Sequence, residues 1–153
     1  MTRRASGLTL LELLCTVGVM ALLLAIAVPR VSAMLPAALL DQGARSLAAD
    51  LRFARVKAVA ENRRFRVTME LDHALYRVEA DAEGTFVPDG GDRALPGGVT
   101  FDAATSSRVV GNRISITFQP RGNTADNATI ALAAGTAGLR RVIVSSAGRV
   151  RIQ

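Results

Sequence analysis

The sequence is poor in the side chains that most often carry chemistry. Its 153 residues include one cysteine, one histidine and no tryptophan, and only 4% are aromatic. Because Cys15 has no second thiol to pair with, an internal disulfide and a cysteine-based zinc site are both excluded. His73 falls in a predicted turn, and the sequence has no nucleophile-elbow, zinc-protease or phosphate-loop motif. We therefore predict a protein that is not an enzyme, with no catalytic residues, no metal site and no cofactor.

One acidic pair invites a catalytic or calcium-binding interpretation. Asp89 and Asp92 lie in a segment rich in glycine and proline, and they lack the spacing of an EF-hand loop. Since isolated carboxylates are ordinary on protein surfaces, we predict that this segment is a solvated loop.

Charge is plentiful but unevenly placed. The formal net charge is +6, and 18 arginines stand against a single lysine. Residues 67–102 hold eight acidic residues and two arginines, whereas residues 108–153 hold seven arginines and one acid, Asp126. The chain therefore has an acidic middle and a basic end.

A long apolar run lies near the N-terminus. As a helix, residues 8–28 extend about 31 Å, which matches the hydrocarbon thickness of a bilayer. The run is too long for the apolar region of an ordinary secretory signal. Arg3 and Arg4 precede it, so the N-terminus is expected in the cytoplasm and the rest of the chain outside.

Glu12 is the anomaly of this run. A carboxylate at membrane depth costs at least about 2.5 kcal/mol and is normally retained for a partner. No lysine or arginine lies between residues 8 and 28 to neutralise it. The partner must come from elsewhere, such as the α-amino group of a neighbouring subunit.

Residues 7–13, with the sequence GLTLLEL, resemble the cleavage motif of type IV prepilins and type II secretion pseudopilins. The resemblance implies that a membrane peptidase cuts after Gly7 and that Leu8 becomes the N-methylated first residue. It also implies that Glu12 meets the terminal amine of the adjacent subunit during filament assembly, and that Pro29 kinks the helix. Leu8 departs from the family pattern, which usually has phenylalanine at this position.

The remaining residues predict an α+β fold. Apolar or small residues recur at helical spacing from Ala37 to about Glu61, and the pattern then alternates with period two from Phe65 to Leu71. We predict an amphipathic helix followed by an antiparallel sheet. Residues 84–98, rich in glycine and proline, are predicted as loop. The further predicted strands are 75–80, 99–101, 114–119, 129–133, 140–145 and 149–152.

Three segments in the second half, residues 95–101, 116–122 and 148–152, resemble the GspH/FimT branch of minor pilins and pseudopilins. The resemblance implies a pilin-like arrangement in which one long N-terminal helix packs on a β domain. We expect a leader peptide at 1–7, a transmembrane and assembly helix at 8–28, its amphipathic continuation at 29–63, and a periplasmic β-rich domain at 64–153. The expected location is the bacterial inner membrane, crossed once, and then a filament.

The basic end is the candidate binding surface. Arg149 and Arg151 are two residues apart, so they project from one face of a strand while Val150 and Ile152 project from the other. Guanidinium groups are well suited to binding phosphates. The scarcity of aromatic residues argues against recognition of single-stranded nucleic acid by base stacking. Other arginines of the basic end widen this patch if folding brings them together with Arg149 and Arg151. They are Arg121, Arg140, Arg141, Arg113 and Arg108.

Two interpretations of these arginines stay open. Charge alone favours a solvated strand face or contacts with acidic neighbours in a filament. In minor pilins of the FimT type, however, a motif matched here by Gly148, Arg149 and Arg151 is associated with the capture of double-stranded DNA in natural transformation. Proteins of the GspH type instead belong to the type II secretion pseudopilus. The expected partners are therefore other pilins or pseudopilins, the prepilin peptidase, the inner membrane and, in the first case, the backbone of duplex DNA.

Overall fold

The computed structural model describes residues 9–125 and 127–153, without the side chains of residues 28–33 and Thr136. One helix, α1 (Leu10–Ala60), precedes all the strands. The chain divides into two compact units, with the boundary between Leu35 and Pro36. The strands, in chain order, are β1 (Phe65–Glu70), β2 (Leu75–Ala82), β3 (Thr85–Pro88), β4 (Arg93–Ala94), β5 (Thr100–Asp102), β6 (Val109–Val110), β7 (Arg113–Phe118), β8 (Ala128–Ala133), β9 (Leu139–Val144) and β10 (Val150–Ile152).

The first unit contains the apolar half of α1. Among the described residues, the stretch Leu10–Ala27 is the one helical segment long and apolar enough to cross a membrane. None of its side chains is buried within the protein. A helix that is apolar on all sides requires an apolar environment, and lipid or neighbouring helices supply one.

The second unit contains the amphipathic half of α1, as the helical spacing predicted. The predicted apolar stripe is fully buried, with exposed fractions of 0–1% at Leu40, Ala44, Leu47, Leu51, Ala54 and Ala58. The helix ends at Ala60, and Asn62 follows in the left-handed region with φ of 51°. Asparagine tolerates this conformation better than most residues, so it gives the chain a low-cost exit from the helix.

The strands are antiparallel, as predicted, and they form two sheets. Sheet A has the order β3-β2-β1-β7-β6, with β4 also paired to β2. Sheet B has the order β10-β9-β8-β5. Period-two patterns mark strands but carry no information about which strands pair. The division of the strands between two sheets therefore could not be predicted from the sequence.

A common core joins α1 to both sheets. From sheet A it receives alternate residues such as Phe65, Val67 and Phe118, and from sheet B it receives Val142 and Val144. Burying each of these large side chains contributes about 1.5–3 kcal/mol. The core therefore fixes sheet A and sheet B against the same helix.

The prediction that residues 84–98 are loop was wrong in part. They include β3 and β4, both of which pair with β2. Pro88 lies at the end of edge strand β3, where the lack of an N–H costs no sheet hydrogen bond, so the proline was misleading. By contrast, the strands predicted at 65–71 and 75–80 are confirmed as β1 and β2, which pair in antiparallel fashion with Phe65 opposite Ala80 and Glu70 opposite Leu75.

Candidate functional site

The residues predicted to act in assembly lie at or just before the start of α1. Thr9 immediately precedes the helix, and its hydroxyl oxygen accepts a hydrogen bond from the Glu12 N–H at 3.2 Å. This is the first half of a capping box, in which a threonine side chain satisfies an otherwise unpaired helical donor. Thr9 is not among the functional residues predicted from the sequence, although the threonine-x-x-glutamate spacing signals the cap.

The Glu12 side chain is exposed, and no described residue forms an ion pair with its carboxylate. A carboxylate in the first turn also lies near the positive end of the helix dipole. The predicted cleavage residues Gly7 and Leu8 lie outside the described residues. The side chain of Pro29 is also outside them, so the kink there stays a prediction.

The acidic middle of the sequence is largely neutralised by folding. On the outer face of sheet A, Arg64 pairs with Asp81 at 2.7 Å and Arg66 pairs with Glu79 at 2.7 Å. Glu70 is shared by two arginines. The arginines of these pairs are partly exposed and their carboxylates are mostly covered, and the pairs cancel charge on this face.

The acidic pair singled out in the sequence is also engaged. Lys57 donates a hydrogen bond to Asp89 at 2.6 Å, and Asp92 lies 3.1 Å from Arg77. The hydrogen bond to Asp89 is the largest cause that raises the pKa of Lys57 above 10.5. Asp89 and Asp92 therefore serve as ion-pair partners within the fold.

Arg149 and Arg151 lie together on sheet B, as predicted. They line one shallow groove with residues of β9 and the preceding turn, among them Ile143 and Ser145. Val150, between them, is buried against the core, whereas Arg149 and Arg151 are both exposed. The predicted alternation is thus observed at Val150, whereas Ile152 is exposed at the end of the strand.

Arg141 belongs to the same face. The β9–β10 register places Arg151 opposite Ile143, and Arg141 exchanges backbone hydrogen bonds with Gln153. Arg141 is therefore diagonal to Arg151, about 7–8 Å away between backbones. Within the described part of the chain, no carboxylate forms an ion pair with Arg141, Arg149 or Arg151. We call these three residues the arginine face.

Arg140 does not join the arginine face. It is adjacent to Arg141, so its side chain lies on the opposite side of β9, where it donates to Asp41 of α1 at 2.7 Å. Arg113 is also outside the arginine face, because it lies in sheet A, where it donates to Glu70. The widened patch predicted from charge alone is therefore smaller in the fold, because two of its members bind carboxylates.

Arg121 and Gly148 meet through their turns. Gly122, next to Arg121, and Gly148 are both buried, and a Cβ at Gly148 would overlap the Gly122 carbonyl oxygen. The Gly148 φ is +74°, a conformation that L side chains rarely adopt. Glycine is therefore required at position 148 by the close backbone contact and the positive φ. The Arg121 side chain lines a separate depression with Asn62.

Two helix arginines contact β10 and the turn that contains Gly122. Arg55 Nε donates to the Gly122 carbonyl oxygen at 2.8 Å, and Arg52 Nη2 donates to the Val150 carbonyl oxygen at 3.2 Å. In the sequence, Arg52 and Arg55 have only the spacing of the polar side of the amphipathic helix. Their partners are 67 and 98 residues away in sequence, so no local signal identifies them.

A polar cluster around the buried Tyr76 lies on the other side of the helix. The Tyr76 hydroxyl donates to Asp50 at 2.6 Å and lies 3.3 Å from the Ser46 hydroxyl, and Asp50 also pairs with Arg93. Burial is the main cause that raises the pKa of Tyr76 above 10.0. This cluster holds β2 and β4 to α1 and leaves the arginine face on the other sheet.

Comparisons with known proteins agree with this architecture. The model of the family described as type II transport protein GspH matches residues 43–148. The pilin-like protein PilA1 of Thermus thermophilus is 36% identical over 173 aligned positions, which cover the whole of both chains.

Two solved structures share the fold. The type IV minor pilin FimU of Pseudomonas aeruginosa matches with a TM-score of 0.60 and 22% identity, over 74% of this chain and 87% of FimU. The minor pseudopilin EpsH from the type 2 secretion system of Vibrio cholerae matches with a TM-score of 0.60 and 14% identity, over 74% of this chain and 95% of EpsH. At these identities the likeness concerns the fold alone.

Proposed function

Because the chain belongs to the type IV pilin-like GspH family of minor pilins and pseudopilins, we propose that it is a minor pilin that assembles through α1 and binds duplex DNA through the arginine face. The family consists of structural subunits rather than enzymes, and its apolar N-terminal helix is consistent with a membrane-anchored subunit. In this proposal the anchor lies in the bacterial inner membrane and the β domain lies in the periplasm.

Assembly follows from the start of α1. A prepilin peptidase cuts after Gly7, and Leu8 becomes the methylated N-terminus of the mature chain. Glu12 is then neutralised by the terminal amine of the adjacent subunit. The support for this step is that Glu12 lies in an apolar, exposed helix and has no ion-pair partner among the described residues, while its burial in lipid alone costs at least about 2.5 kcal/mol.

A Glu12→Ala variant tests this mechanism in cells that produce the filament. Mass spectrometry of the membrane-extracted chain should show normal cleavage after Gly7, because the peptidase site is unchanged. Incorporation into sheared filaments should fall, since the carboxylate that attracts the neighbouring amine is missing. A matched Glu12→Asp variant should incorporate better than Glu12→Ala. Equal incorporation of wild type and Glu12→Ala would overturn the role of Glu12.

The arginine face carries the proposal of DNA binding. Its three guanidinium groups have no carboxylate partner among the described residues, whereas five of the eight acids in the middle of the chain are paired. Mutual repulsion between charges about 7 Å apart in water is only about 0.6 kcal/mol, so the fold tolerates the cluster. A polyanion would relieve this repulsion and gain three charge-assisted contacts.

The salt dependence of DNA binding tests the proposal. For the full chain in non-ionic detergent, fluorescence anisotropy with a labelled duplex should give a slope of log K against log salt near about −2.7, the value for three phosphate contacts. Arg149→Ala with Arg151→Ala should reduce the magnitude of the slope by about 1.8 and weaken binding for all sequences alike.

The matched control is Arg45→Ala with Arg63→Ala, which removes the same charge at the helix and its exit. These two residues lie outside the arginine face, so the control should retain the slope of the wild type. An equal loss in both double variants would show that net charge, and not the arginine face, binds DNA.

A second candidate function is that of a minor pseudopilin in a type II secretion system. The family description that matches residues 43–148, type II transport protein GspH, favours it. The two functions separate in a deletion strain. Loss of pili or of DNA uptake supports the pilus role, whereas loss of protein secretion with normal pili supports the pseudopilin role.

A further inference from the structure

Two turns that are far apart in sequence interlock behind the arginine face. The turn of residues 119–122 is closed by a hydrogen bond from the Gly122 N–H to the Gln119 carbonyl oxygen at 2.8 Å. The turn of residues 145–149 is closed by a hydrogen bond from the Gly148 N–H to the Ser145 carbonyl oxygen at 2.7 Å. Gly122 and Gly148 touch through their backbones, so the position of one turn fixes the position of the other.

Arg55 of α1 occupies the seam between the two turns. Its Nε donates to the Gly122 carbonyl oxygen at 2.8 Å and lies 2.9 Å from where a Cβ of Gly148 would be. One helical turn earlier, Arg52 donates to the Val150 carbonyl oxygen at 3.2 Å. A planar guanidinium with its donors in fixed directions suits such a site better than a lysine ammonium does.

The second turn leads directly into the arginine face. The Ser145 N–H donates to the Arg149 carbonyl oxygen at 3.0 Å, and the Arg149 N–H donates to the Ser145 hydroxyl at 3.2 Å. The turn is also tied to the first by the Thr124 N–H, which donates to the Ser146 carbonyl oxygen at 2.9 Å. Arg149 is therefore part of the interlocked unit, and Arg151 follows two residues later.

We propose that Arg55 is a positioning residue for the arginine face. By holding the Gly122 carbonyl in the seam, Arg55 ties both turns to α1 and sets where β10 starts, and hence the direction of Arg149 and Arg151. Gly148 acts in the same unit by permitting backbone contact and makes no contact with DNA itself. This inference rests on the proposed binding of DNA by the arginine face, although its structural part is measurable without DNA.

The structural part is tested with Arg55→Met in the full chain in detergent. Methionine keeps the length of the side chain and removes its donors. Nuclear magnetic resonance should show displaced Nε–Hε signals for Arg149 and Arg151, and amide hydrogen exchange at Gly148 and Thr124 should be on the order of tenfold faster. Arg45→Met, the matched control on the same helix, should leave these signals and rates unchanged. Unchanged signals for Arg149 and Arg151 in the Arg55→Met variant would overturn the inference.

The functional part is tested by a double-mutant cycle with a labelled DNA duplex. Arg55→Met alone should weaken binding about tenfold, and it should have no further effect once Arg149→Ala and Arg151→Ala are present. Additive losses would show that Arg55 contacts phosphate directly and would overturn its role as a positioning residue. If the wild-type chain binds no DNA, the proposed function fails, and the magnetic resonance signals alone decide whether Arg55 positions the two arginines.

Discussion

Gly148→Ala should be the most destabilising small change in the turn that precedes β10. Two effects add. An alanine with φ of +74° costs about 1–2 kcal/mol because its Cβ crowds the backbone. Its Cβ also overlaps the Gly122 carbonyl oxygen, so the turn must move and the charged hydrogen bond from Arg55 is lost, at about 1.5–3 kcal/mol.

Gly98→Ala isolates the first effect. Gly98 has a similar φ of +79°, but a Cβ there has no atom within 4 Å. In thermal unfolding of the full chain, followed by circular dichroism, one kcal/mol corresponds to about 4 °C for a unit of this size. We therefore expect Gly98→Ala to lower Tm by about 4–8 °C and Gly148→Ala by about 10–20 °C. Equal shifts would refute the argument that close backbone contact, and not conformation alone, requires glycine at 148.

Three further predictions concern the helix and its polar contacts. Leu51→Ala should destabilise the protein by about 2–5 kcal/mol in chemical denaturation because the side chain is fully buried, whereas Val56→Ala, 63% exposed on the same helix, should cost under about 0.5 kcal/mol. Tyr76→Phe should cost about 1–3 kcal/mol at neutral pH, since it leaves Asp50 without one of its donors. Because the pKa of Tyr76 is raised in the folded state, its stability contribution is lost as pH rises above 10.0, so wild type and variant should converge there. The pKa of Lys57 is also raised, and its contribution is present below pH 10.5 and lost above it. Asp89→Asn should therefore lower stability in urea titrations below that pH and have no effect well above it, and a constant difference would contradict the ion pair.

Local patterns were sufficient for the helix and for the longer strands of this fold. The helical spacing of Leu40, Leu47 and Leu51 predicted the buried face of α1, and the alternation from Phe65 predicted β1, because both patterns come from side-chain geometry within one element. The same patterns failed for β3 and β4. These short edge strands form because β2 offers hydrogen-bonding partners, which no feature of residues 84–98 reveals.

For the arginine face, spacing within one strand placed Arg149 and Arg151 on the same side, and the structure agrees. Whether the other arginines belong to the arginine face depended on contacts between residues that are far apart in the sequence. Arg140 was excluded by Asp41, which is 99 residues away, and Arg141 was included by the register of β9 with β10.

Composition and short-range pattern were enough to establish the apolar N-terminal segment with its single carboxylate, a helix followed by antiparallel strands, and the excess of arginine at the end of the chain. These properties depend on neighbours within a few residues. Folding determines which charges remain unpaired and why Gly148 is a glycine. Both depend on distances between residues that are far apart in the chain, such as the contact of Gly148 with Gly122 and Arg55. Pairing and close packing are properties of long-range contacts, which no local pattern encodes.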